Sequence, residues 1–284
     1  MKSIETQFDL KHLRRQLKGA LYWKKEYRML YATDGSVYKK LPLAVAYPKN
    51  KEDIKIILTF AKKNNIGIIP RTAGTSLAGQ CVGDGIVIDV SKHFTKILSL
   101  DLKQKKVTLQ PGVIRDDLNR FLAPYGLYFG PNTSTSAYCM LGGMVGNNSS
   151  GTTSIRYGVT RDKLLRIETL LSDGTDAVFE AKSLNELKQK KEQNTLEGAI
   201  YRSLNDLLLP IEVQKEIRKN YPNRAIHRRN TGYALDVLID QKPFNQNGPV
   251  FNIAKLLAGS EGTLAFTTAT VSYTHLTLPT NREV

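Results

Sequence analysis

The sequence predicts an α+β fold, with mixed α/β as the neighbouring alternative. Short apolar runs bounded by Gly and Pro recur at 66–69, 85–90, 96–100 and 106–109, the pattern of buried strands. Residues 164–171, then Ser-Asp-Gly-Thr, then 177–180 form a hairpin signature with its turn at Asp173-Gly174. Residues 183–221 are rich in Lys, Glu and Gln with Leu at helical intervals. Strands with helices interspersed fit that class best.

Residues 1–35 are basic and aromatic and read as helical through 10–30. Residues 51–63 place Ile54, Ile57, Leu58 and Ala61 at helical spacing, with Lys and Asp on the opposite face. A short amphipathic helix over 115–123 is ended by Pro124 and Gly126. The stretch 183–221 reads as a helical excursion between strand-rich parts, and 262–271 as the last strand. The closing residues 272–284 are threonine-rich, contain Pro279 and break the pattern. Two readings stand for that tail: a truncated or foreign end, or a frayed natural terminus.

A chain of 284 residues holds one large domain or two modest ones. Lys plus Arg is 41 against 26 Asp plus Glu, a formal +15. This balance favours anionic partners, although runs such as 188–191 and 224–229 read first as solvated surface. Cys81 and Cys139 have no metal-cluster spacing, and no metal site is expected. There is no N-terminal apolar leader and no run near the ~20 apolar residues of a spanning helix. A reduced, cytoplasmic setting is the default, with peripheral membrane association through a partner left open. The sequons at Asn147 and Asn148 carry little weight without a secretion signal.

The most informative stretch is 66–80. An apolar run ends at Pro70, and Arg71, Thr72, Ala73, Gly74, Thr75 and Ser76 follow. Small residues let several backbone N–H groups converge, a concavity suited to phosphate. Gly74 and Gly79 have P-loop spacing, but Gln80 and Cys81 replace the Lys and Ser/Thr that triphosphate chemistry needs. A Rossmann glycine triplet is also missing, because Leu141 precedes Gly142-Gly143-Met-Val-Gly146. Residues 130–151 read as a second glycine-rich loop, with a plain surface loop as the alternative. A third small-residue turn spans 259–263.

Taken together, Pro70-Arg-Thr-Ala-Gly-Thr-Ser, Pro131-Asn-Thr-Ser-Thr to Leu141-Gly-Gly, Ser150-Gly to Arg156-Tyr-Gly and Gly259-Ser-Glu-Gly-Thr263 resemble the FAD-linked oxidase family. That family has the p-cresol methylhydroxylase-type FAD-binding domain, and the branch in view holds D-lactate dehydrogenases, glycolate oxidase subunits and D-2-hydroxyglutarate dehydrogenases. The resemblance implies a two-subdomain FAD-binding domain over 36–271, with strand-rich subdomains, flanking helices and the helical insertion at about 183–221. Residues 1–35 become a helical extension and 272–284 an atypical tail, with the substrate domain missing.

By the same resemblance, Pro70 and Arg71 to Ser76 hold the FAD pyrophosphate. Pro131, Asn132, Thr135, Gly142, Gly143, Asn147, Ser150, Gly151 and Gly158 line the rest of the cofactor, and Glu261 and Gly262 sit near the last cofactor-facing strand. The chain departs from the family at three points. Ala73 stands for a common glycine, Met140 for a hydrogen-bonding Thr, and Thr75 for the histidine that carries covalent flavin, so non-covalent FAD is expected. Arg-Arg-Asn-Thr-Gly-Tyr233 resembles a Lys-Asn-x-x-Gly-Tyr segment of these dehydrogenases. It nominates Arg229 or Asn230 to face an acidic substrate, with a basic turn as the alternative. His227 is as readily a surface residue.

The implied reaction oxidises a D-2-hydroxy acid to a 2-oxo acid by hydride transfer to flavin. No catalytic base is assigned, because the substrate groups of such enzymes lie mostly in the missing domain. An iron–sulfur acceptor would have to lie downstream or on another subunit. Two alternatives remain: a non-catalytic flavin-binding fragment, and a basic nucleic-acid-binding protein, which lacks a recognisable motif.

Overall fold

The computed structural model describes residues 8–276, apart from 224, 227, 230 and 231. The first half of the frame is a four-stranded sheet of β1 (Ala20–Tyr22), β2 (Ala44–Tyr47), β3 (Ile68–Arg71) and β4 (Ile86–Asp89) in the order β1-β2-β4-β3. β2, β4 and β3 run parallel, and β1 is antiparallel at the edge. β4 is buried at every position, as expected of a parallel strand covered on both faces. Pro70 pairs with Ile88 from the opposite edge strand, β3, where a missing N–H costs no ladder bond.

The crossover from β2 to β3 is the helix Lys51–Lys63, as the periodicity predicts. Asn50 caps it by accepting the Asp53 N–H at 3.0 Å. Glu52 and Asp53 open it and Lys62 and Lys63 close it, each charge complementing the helix dipole. Ile54, Ile57 and Leu58 pack with Ile86, Ile88 and Leu170 in one core cluster, and Ala61 is buried on the same helix.

Downstream come β5 (Ile97–Asp101), β6 (Lys106–Leu109), β7 (Leu127–Tyr128), β8 (Leu164–Leu170), β9 (Asp176–Glu180), β10 (Phe266–Tyr273) and β11 (His275–Leu276). Five of them make an antiparallel sheet in the order β5-β6-β10-β8-β9, and β7 pairs with β11. The predicted hairpin is β8–β9. Its turn is tied by Thr175 N–H and Oγ1 to Asp173 Oδ1. The helix Arg115–Leu122 runs into a 3₁₀ turn that stops at Gly126, whose φ is 64°.

The 183–221 stretch forms three helices, Leu184–Glu192, Leu196–Leu208 and Ile211–Asn220. The first starts with a capping box between Ser183 and Glu186. Leu187, Tyr201, Leu208 and Ile217 bury against β8, β9 and the short helices Leu235–Ile239 and Ala254–Leu257. Part of the 188–191 run is structural: Lys190 pairs with Glu197 at 2.7 Å and Lys191 reaches Asn205. No helix among the described residues is long and apolar enough to cross a membrane.

Tertiary contacts overturn three local expectations. The helix expected through 10–30 is Leu10–Gln16 and then Lys25–Leu30, with β1 between them. Gly19 lies against the β2 backbone so closely that a Cβ would stand 2.1 Å from Tyr47 O, and sheet pairing wins there. The loop expected over 130–151 contains the helix Leu141–Asn147. The last strand starts at Phe266 rather than Gly262, because Thr263 N–H turns back to Ser260 O. Ser272 and Tyr273 continue β10 by pairing with β6, so the strand runs past 271.

Candidate functional site

A cavity of about 540 Å³ opens where the C-terminal end of β3 meets the helix Leu141–Asn147, the turn 259–262 and the start of β10. Loops from both sheets therefore form its walls. Volumes of this size suit cofactors and other small molecules.

The loop after β3 supplies the first wall. The amide N–H groups of Ala73, Gly74, Thr75, Ser76 and Leu77 have no acceptor among the described residues. Five free donors in one short loop are the kind of group that can receive an anion. Gly74 takes φ 69°, and a Cβ there would strike the Arg71 guanidinium at 2.4 Å. Arg71 braces the loop from beneath: Nη1 donates to Thr33 O at 2.8 Å, and its guanidinium lies 4.9 Å from the centre of the Tyr31 ring.

The helix Leu141–Asn147 supplies the second wall. Leu141, Met144 and Val145 are buried, which holds the helix in place despite its glycines. Gly142 packs on Pro111, and Gly143 would put a Cβ 2.7 Å from Thr72 Oγ1. These glycines thus let helix and loop approach closely. Leu141 and Gly142 donate their N–H groups to Val113 O and Pro111 O. Met140 stands at the N-cap without a side-chain hydrogen bond, so the Gly143 N–H is left for a ligand.

The third wall docks on the other end of that helix. Gly259 N–H donates to Val145 O and Glu261 N–H to Gly146 O, each at 2.9 Å, satisfying the last helical carbonyls. Gly262, at φ 76°, would bring a Cβ within 2.9 Å of Pro70. Arg161 is buried beneath the turn and holds it through Nη2 to Ala258 O at 2.6 Å.

Gln80 joins all three walls. Its Oε1 accepts from Ser76 Oγ at 2.7 Å. Its Nε2 donates to Asn147 Oδ1 at 2.7 Å and to Glu261 Oε1 at 2.8 Å. Two cysteines also face the cavity. Burial pushes the Cys81 thiol up to about 11, with Asp34 adding to the rise and Arg71 opposing it. Burial also raises Cys139. Neither is a thiolate at neutral pH.

Of the residues singled out in the sequence, Pro70, Arg71, Thr72, Gly74, Thr75, Ser76, Thr135, Gly142, Gly143, Asn147, Ser150, Glu261 and Gly262 line this cavity. Five do not. Ala73 lies between two lining residues, Thr72 and Gly74, without lining the cavity itself. Pro131 is buried, and its carbonyl accepts from Arg115 Nε at 3.2 Å. Asn132 and Gly151 pack backbone to backbone, a Gly151 Cβ falling 1.2 Å from Asn132 O. Gly158 ends the helix Ser154–Tyr157 at φ 70° against Asp162. These positions are set by close packing rather than by exposure to the cavity.

Arg229 is neutralised by Asp236 at 2.6 Å, whereas its neighbour Arg228 lines the cavity. His227 and Asn230 lie outside the described residues. Sequence reasoning missed Gln80 and Arg228. The first drew notice only as a non-lysine, and a basic pair does not reveal which member has an acidic partner.

Residues 42–178 match a family described as an FAD binding domain. D-2-hydroxyglutarate dehydrogenase from Haemophilus influenzae is 36% identical over 245 residues, covering 84% of this chain and 23% of that protein. Glycolate oxidase subunit GlcD from Bacillus subtilis is 36% identical over 149 residues, covering 52% of this chain and 32% of that protein. The chain therefore spans less than a third of the length of either. Among solved structures, an alkyldihydroxyacetonephosphate synthase superposes with a TM-score of 0.60 at 19% identity, covering 90% of this chain and 38% of that one. That likeness concerns the fold.

Proposed function

The chain belongs to the FAD-linked oxidase family, and from that premise we propose that it is the FAD-binding part of an enzyme oxidising a D-2-hydroxy acid to a 2-oxo acid. The observation that carries the reading is the run of unpaired amides at 73–77, of which residues 74–77 line a cavity walled by both sheets. A pyrophosphate needs such a set of N–H donors, and the residues present fit it. The relatives supply the substrate class: one acts on D-2-hydroxyglutarate by its name, another on glycolate.

In this reading the loop 72–76 binds the pyrophosphate, and the Gly143 N–H and small side chains of the helix Leu141–Asn147 lie along the rest of the cofactor. When bound, FAD supplies the acceptor for the two electrons removed from the substrate. Thr75 stands where covalently linked relatives carry histidine, so the flavin is held without a covalent bond. Gln80 holds the three walls at fixed spacing. Arg228, exposed at the cavity, supplies positive charge for a substrate carboxylate. No residue of this chain is assigned as the base that accepts the hydroxyl proton.

The test is reconstitution of the purified chain with FAD, followed by absorbance of the dialysed protein. Oxidised-flavin bands that acid precipitation releases into the supernatant are expected. A colourless protein after reconstitution overturns the reading. In an enzyme completed by its substrate domain, D-2-hydroxyglutarate, D-lactate and glycolate are each tested for bleaching. Arg228→Ala is expected to raise KM about tenfold or more with little change in kcat, the loss of roughly one charge-assisted hydrogen bond.

A further inference from the structure

A second cavity, of about 400 Å³, lies at the β1 edge of the first sheet. It shares no lining residue with the flavin-site candidate. Arg14, Lys18, Lys49, Lys92 and His93 surround it, and no Asp or Glu lines it among the described residues. None of the five has a carboxylate partner among the described residues. Surface cations elsewhere in this fold are often paired, as Lys55 is with Asp176 and Lys190 with Glu197. Four Lys and Arg side chains without an ion pair around one concavity favour an anion there.

The walls are built rather than incidental. The buried Asp53 carboxylate accepts N–H bonds from Lys18, Gly19 and Lys49, each at 2.8 Å. Its charge is thus spent on fixing the two backbone segments that carry the cations. The aromatic side is equally ordered. Tyr22 and Tyr27 stack with centroids 4.1 Å apart, and Tyr47 meets Tyr22 edge-on at 5.9 Å. Lys92 lies 5.6 Å from the centre of the Tyr47 ring. Tyr27 is 38% exposed, leaving aromatic surface beside the cationic rim.

We propose that this cavity is a second ligand site, for a nucleoside diphosphate whose phosphates meet the Lys and Arg rim while its ring packs on the tyrosines. Phosphate alone would explain the cations but not the aromatic side. An extended anionic surface would not need a concavity of this volume, which lies within the range of about 300–1,000 Å³ usual for small-molecule sites. The site stands independently of the flavin reading, since neither cavity contributes to the other.

The test is calorimetric titration of the FAD-saturated chain with ADP, inorganic pyrophosphate and adenosine, the flavin excluding ADP from the first cavity. Saturable binding of one ADP per chain is expected, at least tenfold tighter than pyrophosphate or adenosine. Lys18→Ala with Lys92→Ala, and separately Tyr27→Ala, should each weaken ADP at least tenfold, or about 1.4 kcal/mol. All three side chains are exposed, so flavin content and thermal melting should stay unchanged, which reports on folding and on the flavin site separately. Absence of saturable ADP binding overturns the proposal, as does binding that these variants leave intact. Pyrophosphate as tight as ADP overturns the role of the tyrosines. Co-sedimentation with phosphatidylserine vesicles without ADP binding would reassign the face to a membrane surface.

Discussion

A Cβ placed on Gly143 would stand 2.7 Å from Thr72 Oγ1, where an ordinary contact begins at 3.4 Å. Gly143→Ala therefore demands that the helix or the loop move by about 0.7 Å, the difference of those two distances. Thr72 has no easy retreat. It is β-branched, and turning χ1 exchanges the hydroxyl for the methyl group. Overpacking of this kind costs about 1–3 kcal/mol, and both partners line the cavity. The cost should appear as weaker flavin binding, by about 5- to 150-fold. The assay is fluorescence titration of apoprotein with FAD for wild type, Gly143→Ala, Thr72→Ala and the double variant. Because Thr72→Ala removes the clashing atom, the double variant should bind better than the sum of the single losses, by about 1 kcal/mol or more. Strict additivity would refute the claim that this contact sets the spacing of loop and helix.

Three further outcomes follow from the same geometry. Asp53→Ala strands three N–H donors, one of them on buried Gly19. Urea unfolding should show a loss of about 3 kcal/mol or more, and a loss below about 1 kcal/mol would contradict the role given to this carboxylate. Gln80→Ala removes the bridge among Ser76, Asn147 and Glu261 and should weaken FAD about tenfold. Gln80→Glu, placing a second carboxylate beside Glu261, should be worse than Ala. Burial lowers the Lys255 pKa from 10.5 to about 8, against a partial rise from Asp162. Between those values the unfolded chain binds the extra proton, so this group makes stability rise with pH from about 8 to 10.5, by up to roughly 3 kcal/mol. Denaturant unfolding across that interval should show a shallower rise in Lys255→Met, and equal slopes would disprove the effect.

Much of the scaffold was legible because its signals are local. The helix Lys51–Lys63 announces itself through the apolar stripe Ile54, Ile57, Leu58 and Ala61 opposite Lys and Asp. β6 and the β8–β9 hairpin follow from short apolar runs and an Asp-Gly turn. The helix Leu141–Asn147 was not legible. Its glycines argue against helix, and only burial of Leu141, Met144 and Val145 supports it. β1 is another such case, interrupting an apparent helix because it pairs with β2 while the Asp53 carboxylate takes the N–H groups of Lys18 and Gly19 just before it.

The site divides in the same way. Order, spacing and composition of the small-residue segments by themselves pointed to the family, the expected cofactor and the loop proposed to hold its pyrophosphate, since these signals lie in residues adjacent in the chain. Tertiary structure alone decided which of those residues reach the cavity. Gly151 and Gly158 have the same composition as Gly142 and Gly143 but meet Asn132 and Asp162 instead. It also decided that Arg229 is neutralised while Arg228 stays at the cavity, and that Gln80 joins elements up to 181 positions apart. Those outcomes depend on what lies across a packed interface, and no local sequence pattern encodes the distance across it.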